Sequence, residues 1–320
     1  MSSPLHNPRS TDKTATIVSF GEVLWDLLPT GPLLGGAPFN FAFRASTLGH
    51  RAVIASRLGR DYRGREAFAR ITALGMETGW LQWDDTAPTG TVSVSFDEKG
   101  NHDFTITADV AYDHIAASEE LLHLGARAEC LCFGTLVRRS PTSRAALDML
   151  LEAFEGRLIL LDLNLRKDCW TDAEVISSIA SADVLKLNDQ ELLTVDRIFR
   201  LPGGTIAEKA MALVKMTNLR CTVVTLGEGG ACAVSATGET VYEPAYLVAP
   251  VDTIGSGDAF TAGFIHALLA DRPLADACRL GNALGALVTG QRGATESLSP
   301  DRIDFMLSRG ERRPADPRFV

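Results

Sequence analysis

A short glycine turn in the C-terminal third of the chain has the residue types that phosphoryl transfer needs. It reads Asp252-Thr-Ile-Gly-Ser-Gly-Asp, and the apolar sequence after it predicts a helix beginning near Gly257. The start of a helix presents unpaired backbone N–H groups and a positive dipole end to an anion. Gly255, Ser256 and Gly257 could therefore form an anion hole, because glycine lets the backbone approach a phosphate. Asp258 follows directly and could accept the proton of an attacking hydroxyl.

A second polar group is expected nearer the N-terminal end. Gly35 and Gly36 permit a tight turn, and the next helix is expected to begin near Pro38, because proline suits the first helical turn. Asp26 could offer an acceptor, and Asn40 both a donor and an acceptor, to the hydroxyl groups of a ligand. The structural alternative is a loop acid at Asp26 and a polar helix start at Asn40.

Two predicted strands are each followed by polar residues that could reach a ligand. The first ends in Leu161-Asp-Leu-Asn-Leu-Arg, so Asn164 and Arg166 would lie near its carboxyl end. After the second, Asn188 precedes Glu191 by three residues, which also fits a helix capping box. A turn-forming asparagine, an exposed arginine and a helix cap are the structural alternatives.

Short β-branched runs alternate with amphipathic stretches along the chain. Strands are predicted at 16–21, 52–56, 130–134, 158–164, 184–188 and 222–226. Helices are predicted at 39–48, 64–74, 143–154 and 205–216. This alternation predicts an α/β fold in which helices cover both faces of a mostly parallel sheet. Ligands of such sheets bind beyond the carboxyl ends of the strands.

One interval departs from this alternation. Residues 90–97 and 102–107 alternate with period two, and the turn-forming sequence at 98–101 between them predicts a β-hairpin. Together with extended segments at about 23–34, the hairpin could form a small sheet that projects from the main domain.

The composition favours one large domain with an appendage. The chain has 320 residues, 46% of them hydrophobic, and can bury a large core. A net charge of −9 argues against a nucleic-acid or anionic-membrane surface. No apolar run approaches the ~18 residues that span a bilayer, and the polar residues 1–15 predict a flexible leader, so a cytoplasmic protein is expected. The cysteines and histidines show no metal-ligand spacing.

The glycine turn carries a family resemblance once the following helix is included. Taken alone, Gly-x-Gly-Asp could be an ordinary turn followed by an aspartate that caps a helix. The full string Asp252-Thr-Ile-Gly-Ser-Gly-Asp-Ala-Phe-Thr-Ala-Gly-Phe264, however, resembles the C-terminal signature of the PfkB or ribokinase family of sugar and nucleoside kinases. The resemblance implies that Asp258 is the catalytic base and that the glycine turn binds the phosphoryl group of ATP. It also implies a ribokinase-like three-layer α/β/α domain over 16–308, followed by a C-terminal tail at 309–320.

The small sheet has a role in the family. The resemblance implies that a β lid, formed from about 23–34 and 89–107, closes over the sugar. A lid excludes water, which matters because the enzyme must phosphorylate the sugar and not the solvent. Since the exposed face of a small sheet invites a partner, a homodimer formed through the lid is a further expectation.

Residues of the other motifs match the family one by one. Asp26, Gly36 and Asn40 match positions that contact the sugar. Arg166 and Asn164 match a motif that faces the active-site cleft, with Arg166 expected on the sugar side and Asn164 on the nucleotide side.

The resemblance also implies a nucleotide-binding region. Thr225, Gly227 and Gly230 match a Thr-x-Gly-x-x-Gly turn that binds the nucleotide, although a plain turn needs only the glycines. Asn282 matches an asparagine of the adenine pocket, with a polar residue on a helix surface as the alternative.

Two metal ions follow from the resemblance. Asn188 and Glu191 match an Asn-x-x-Glu motif that organises magnesium and its waters near the phosphates, with Glu191 acting through water; magnesium usually keeps several waters. Asp252 matches a ligand of a monovalent cation site that includes carbonyl groups at 290–295. Potassium is therefore expected there, unless Asp252 only caps its turn.

The residue types of the N-terminal motif bear on which sugar is the substrate. Gly35-Gly-Ala-Pro-Phe-Asn40 resembles the fructokinase branch, whereas ribokinases usually carry lysine and glycine in place of Ala-Pro. Phe133-Gly-Thr-Leu136 also resembles that branch. D-fructose is therefore the first expectation, although Phe39 and Phe41 are bulkier than the residues often found there.

Three alternatives remain open. A kinase for ribose, 2-keto-3-deoxygluconate or a nucleoside would use another acceptor. A non-catalytic sugar- or nucleotide-binding protein would bind without turnover, and the intact Asp258 argues against it. A dinucleotide-dependent dehydrogenase lacks support because no Gly-x-Gly-x-x-Gly follows the first predicted strand.

Overall fold

A nine-stranded sheet lies at the centre of the computed structural model, which describes residues 14–96 and 102–319. The strands of this part of the chain are β1 (Thr16–Phe20), β2 (Leu24–Leu28), β3 (Gly31–Gly35), β4 (Arg51–Gly59), β5 (Leu81–Asp84), β6 (Gly90–Phe96), β7 (His102–Ile106), β8 (Cys130–Gly134), β9 (Leu158–Asp162), β10 (Val184–Asn188), β11 (Cys221–Thr225), β12 (Ala231–Ser235) and β13 (Thr240–Glu243). The order in the large sheet is β13-β12-β11-β10-β9-β8-β1-β4-β5. Neighbours from β5 to β11 are parallel, whereas β12 and β13 are antiparallel at one edge. The predicted mostly parallel sheet is confirmed.

Helices cover both faces of this sheet, as predicted. They are α1 (Ala37–Thr47), α2 (Tyr62–Ala73), α3 (Glu119–Arg127), α4 (Pro141–Ala153), α5 (Asp172–Ala180), α6 (Asp189–Phe199), α7 (Ile206–Thr217), α8 (Ser256–Leu269), α9 (Leu274–Thr289) and α10 (Pro300–Arg309). Helices α1, α2, α8 and α9 pack in one core and α3 to α7 in another. In β8, Cys130 and Cys132 belong to the first core, and Leu131 and Phe133 to the second, because successive side chains of a strand face opposite sides. Within the described ranges, no helix is both long and apolar enough to cross a bilayer.

Four strands end at a different residue from the predicted one. β1 and β11 each end one residue early, at Phe20 and Thr225. β4 continues past residue 56 to Gly59. β9 ends at Asp162, so Asn164 lies in the loop that follows and not in the strand. Asn164 has a φ of 44°, a left-handed conformation that asparagine tolerates and an extended strand excludes.

A second sheet of four strands has the order β3-β2-β6-β7. β6 and β7 form the predicted hairpin, and the turn predicted at 98–101 lies outside the described residues. β2 pairs in parallel with β6 and so joins the hairpin to the N-terminal segment. Trp25 of β2 is buried, and its indole N–H donates to the carbonyl oxygen of Arg63 at 3.1 Å. This contact ties the small sheet to α2 of the main domain.

The segment predicted as a C-terminal tail packs along β13. Arg312 forms a β-bridge with Tyr246. The ring of Phe319 stacks on that of Tyr242, with 4.4 Å between the centroids. Of the predicted leader at 1–15, the structure describes only the last two residues.

Candidate active site

Asp258 lies half-buried in the first turn of α8, where α1 holds it. Asn40 Nδ2 donates to Asp258 Oδ2 at 2.8 Å, so the structure joins two predicted site residues from opposite ends of the chain. Burial, and next the charge of Asp162, raise the pKa of Asp258 to about 6, against the hydrogen bond from Asn40 and the charges of Lys186 and Arg166. At neutral pH the carboxylate is ionised yet close to its pKa, which suits a general base.

The glycine turn itself has a conformation that a side chain would disturb. Gly255 is the N-cap of α8, with a φ of 77°, and a side chain there would collide with Ala294. Gly257 lies in the first helical turn, where the N–H groups lack an acceptor within the helix. Ser256 differs, because its N–H and its Oγ both donate to the carbonyl oxygen of Thr253, at 3.2 and 2.8 Å. The turn can therefore receive an anion at its glycines, while Ser256 uses these donors to stabilise the turn.

Lys186 lies beside this turn, and the sequence pattern does not predict it as a site residue. Its Nζ donates to Asp162 Oδ1 at 2.9 Å, and Thr261 Oγ1 donates to Asp162 Oδ2 at 2.9 Å. Burial alone would lower the pKa of Lys186, but the charges of Asp162 and Glu191 outweigh it and raise the pKa. A Cβ atom on Gly257 would lie 3.3 Å from Lys186 Nζ, so a positive charge is available at the anion hole.

A cavity of about 480 Å³ extends from Asp258 to the small sheet. The residues predicted to contact the sugar or face the cleft all line it: Asp26, Gly36, Asn40, Asn164 and Arg166. Val92 and Ile106 of the hairpin contribute apolar wall. Asn40 Oδ1 is buried and has no hydrogen-bond partner. A buried acceptor without a partner is where a ligand hydroxyl would be stabilising.

Two carboxyl groups give this cavity an unusual charge. Burial raises the pKa of Asp26 to about 6, and Arg166 opposes the shift. Burial likewise raises the pKa of Glu22 to about 7, although the N–H of Ala37 donates to Glu22 Oε1 at 3.2 Å. Glu22 is not among the residues predicted from the sequence, where its signal is a lone acid two residues after an apolar strand. Gly36 has a φ of 115° and abuts the carbonyl oxygen of Glu22, which explains the glycine.

A second cavity, of about 300 Å³, adjoins the first at the glycine turn. The predicted nucleotide residues Thr225, Gly227, Gly230 and Asn282 line it. Thr253 and Gly257 line both cavities. Asn282 Nδ2 donates to the carbonyl oxygen of Glu243 at 2.9 Å, so part of this amide holds β13 beside the cavity. Asn164 lines the first cavity and not the second, and its contact with a nucleotide stays a prediction.

Asn188 and Glu191 form the capping box that their spacing predicts. Asn188 Oδ1 accepts from the N–H of Glu191, and Glu191 Oε2 accepts from the N–H of Asn188, both at 2.8 Å. Glu191 Oε1 also accepts from the N–H of Leu165 at 2.8 Å. Burial raises the pKa of Glu191, against the charge of Lys186. Neither Asn188 nor Glu191 lines the two cavities, so their part in magnesium binding stays a prediction.

Asp252 connects the glycine turn with the predicted cation loop. Its Oδ1 accepts from the N–H of Ile254 at 3.0 Å, and its Oδ2 accepts from the N–H of Gly293 at 3.1 Å. The first bond matches the alternative of a turn cap. Potassium binding at this carboxylate stays a prediction.

Known proteins resemble the whole chain. The family model of the pfkB family carbohydrate kinases matches residues 33–302. Probable fructokinase-3 of Arabidopsis thaliana is 30% identical over 333 residues, which cover 95% of each chain. The crystal structure of fructokinase from Vibrio cholerae O395 in its fructose, ADP and calcium ion bound form has a TM-score of 0.75 and 26% identity, and covers 88% of this chain and 95% of that chain. A double mutant of that enzyme, in its fructose, ADP and potassium ion bound form, has a TM-score of 0.75 and 25% identity over 89% and 95% of the two chains.

The fold, the paired cavities and the matched family model therefore agree on a phosphotransferase that acts on a sugar, and the chain belongs to the PfkB family of carbohydrate kinases.

Proposed function

We propose that the protein transfers the γ-phosphoryl group of ATP to a hydroxyl of D-fructose. The observation that carries this proposal is that the two cavities meet at one turn, with Thr253 and Gly257 lining both. A sugar on the Asp26 side and a nucleotide on the Thr225 side would thus present acceptor and donor to the same anion hole. Asp258 lines the sugar-side cavity at this junction.

A few side chains and backbone groups have separate roles in the reaction. Asp258 accepts the proton of the sugar hydroxyl as that oxygen attacks phosphorus. The backbone N–H groups at Gly255 and Gly257 stabilise negative charge on the transferring group, and the buried Lys186 adds a positive charge beside them. Asn40 orients the base through its 2.8 Å hydrogen bond.

Magnesium, when bound with ATP, would offset the negative charge of the phosphates. Asn188 and Glu191 would hold it, and they fit such a role only through water, because both Glu191 oxygens already accept backbone N–H groups. This arrangement is compatible with magnesium, which keeps several of its waters in proteins.

D-fructose is favoured over an acidic sugar by the charges in the cavity. Glu22 and Asp26 would accept hydrogen bonds from sugar hydroxyls. At neutral pH Asp26 is mostly ionised and Glu22, with a pKa of about 7, is about half ionised, so their negative charge would repel the carboxylate of 2-keto-3-deoxygluconate. Arg166 and Lys167 line the same cavity and are the observation that keeps this acid as the second candidate. The fructose-bound structure of the Vibrio cholerae relative supports the first.

ADP release with MgATP tests the proposal across D-fructose, D-ribose, 2-keto-3-deoxygluconate, tagatose and adenosine, with Asp258→Asn as the blank. Release that is selective for fructose and absent from the blank would support it. Selectivity for another acceptor would replace fructose and keep the kinase. Binding of sugar and ATP without release would instead indicate a non-catalytic binding protein.

Closure of the small sheet over the sugar and dimerisation through it also belong to this proposal. β3 and β7 are the two edges of that sheet, and an edge strand can pair with a second copy. Light scattering of the purified protein distinguishes monomer from dimer. A cytoplasmic location stays a prediction.

A further inference from the structure

Arg44 is a buried cation whose charge the described residues do not neutralise. It lies in α1, one helical turn beyond Asn40, and only 1% of its surface is exposed. Burial lowers the pKa of Arg44 to about 10, so the guanidinium is still charged at neutral pH. Within residues 14–96 and 102–319, no ion pair joins it to a carboxylate. Burying an unpaired charge is costly, so its retention needs a reason.

The guanidinium is directed at backbone carbonyl groups. Arg44 Nη2 donates to the carbonyl oxygens of Ala294 and Glu296, each at 2.9 Å. The Nε and Nη1 atoms have no hydrogen-bond partner. Carbonyl oxygens that converge on one point make a cation site, and here a side chain of the protein supplies the cation.

These carbonyls belong to the wall behind the anion hole. The loop at 290–296 carries Ala294, whose side chain fills the space where Gly255 lacks a Cβ atom. The N–H of Gly293 in the same loop donates to Asp252, at the start of the glycine turn. Residues four apart share a helix face, so α1 presents Asn40 to Asp258 and Arg44 to this loop.

We propose that Arg44 is a positioning residue for the anion hole, and that its guanidinium takes the place of a bound monovalent cation by holding the loop at 290–296 against Gly255. The proposal rests on the kinase function proposed above. Arg44 does not contact the reacting atoms and acts through Ala294 and Gly255. Turnover by the wild-type protein should then be indifferent to potassium, in contrast to the expectation drawn from Asp252.

The test compares Arg44→Met, which keeps an unbranched side chain without the charge, with Arg138→Met. Arg138 is a matched control because it is also buried, 2% exposed, but pairs with Asp148 at 2.8 Å and packs on Phe133 in the other core. Amide hydrogen exchange of peptides covering 250–258 and 288–297 provides a readout that needs no activity. Turnover is measured with the best acceptor, in potassium chloride or in N-methylglucamine chloride.

Arg44→Met should speed exchange in both peptides, and Arg138→Met should leave them at the wild-type rate. The kcat of Arg44→Met should fall by roughly 10- to 100-fold, since small displacements of a catalytic group have such effects. The KM for the sugar should change less. Potassium or guanidinium ions should restore part of the lost kcat in this variant, whereas the wild-type rate should be equal in both salts.

Unchanged exchange in Arg44→Met, equal changes in the two variants, a loss of kcat that neither cation reverses, or a wild-type enzyme that needs potassium would each overturn the proposal. If Arg44→Met does not fold, Arg44→Lys carries the same exchange test with the charge kept, and an intermediate rate is expected. If the wild-type protein phosphorylates no acceptor, the proposed function fails while the exchange comparison still decides the role of Arg44.

Discussion

Burial of Asp258 has opposite consequences for catalysis and for stability. A general base works best with a pKa close to the working pH, and burial brings its pKa to about 6. The same burial destabilises the folded protein, because the ionised carboxylate would be better solvated in the unfolded chain. Function and stability should therefore respond in opposite directions when this charge is removed.

Asp258→Asn should lower kcat by roughly 10²-fold or more, the usual size of a general-base effect. The amide keeps an acceptor for Asn40 Nδ2, so the fold should be unchanged. In the wild-type protein, kcat should fall as the pH drops through about 6, because protonated Asp258 cannot accept a proton. Steady-state rates from pH 5 to 8 measure both effects. Near-normal turnover of the variant would contradict the role of Asp258.

Asp258→Asn should also unfold at a higher temperature than the wild-type protein. The folded pKa of about 6 lies above the value of 3.8 for an aspartate in the unfolded chain, so at pH 7 the wild-type carboxylate weakens folding by about 2–3 kcal/mol. The advantage of the variant should be complete above pH 6 and should shrink as the pH falls toward 3.8, where both states bind the proton. Calorimetry measures it, with the exposed Asp85→Asn as a control that should change little. A gain independent of pH would contradict the assigned pKa.

At the scale of elements, the loop after β9 and the start of α6 share one carboxylate. Glu191 caps α6 through Asn188 and also receives the N–H of Leu165 from the loop after β9. α7 has a capping box of the same kind, formed by Thr205 and Glu208, on the exposed surface. The two helices thus begin with the same capping box, but only the box of α6 also contacts the loop after β9.

Glu191→Gln should therefore change both the stability and the magnesium requirement, whereas Glu208→Gln should change the stability alone. Both should lower the unfolding temperature, because each weakens a capping box. Only Glu191→Gln should raise the magnesium concentration needed for half-maximal rate, since only Glu191 is proposed to hold the waters of that ion. Thermal unfolding and a magnesium titration separate the two. An equal magnesium requirement in both variants would leave Glu191 as a cap alone.

The sequence predicted elements better than it predicted partners between elements. Local patterns were sufficient for β8 and β10, whose predicted bounds agree with the structure. The contact of Lys186 with Asp162 depends on β9 and β10 being neighbours, which no local pattern contains. Glu22 was missed for a similar reason, because its raised pKa comes from burial in the folded protein, which the residues around it in sequence do not reveal. The resemblance of the motifs to those of the family predicted where the site lies. The order of the strands in the sheet determines which charged side chains surround it.

At the scale of the whole molecule, the sugar-side cavity lies between the main domain and the small sheet. Residues of the glycine turn line one side, and Val92 and Ile106 of the hairpin line another. Apolar side chains in that place would exclude water from the phosphoryl group. The small sheet would then decide how much ATP is lost to hydrolysis and how much reaches the sugar.

Ile106→Ser should raise the ratio of ADP released without sugar to ADP released with sugar. It should also raise the KM for the sugar by roughly tenfold, because Ile106 is half-buried and would contribute part of the about 1.5–3 kcal/mol of a fully buried aliphatic side chain. Thr105→Ala is the matched control, since Thr105 is the adjacent residue of β7, is exposed and does not line the cavity. Coupled assays for ADP and for sugar phosphate, run in parallel, give the ratio. If both variants keep the wild-type ratio, the hairpin does not exclude water, and the shielding must come from the other apolar walls of the same cavity, Leu24 of β2 and Leu136 of the main domain.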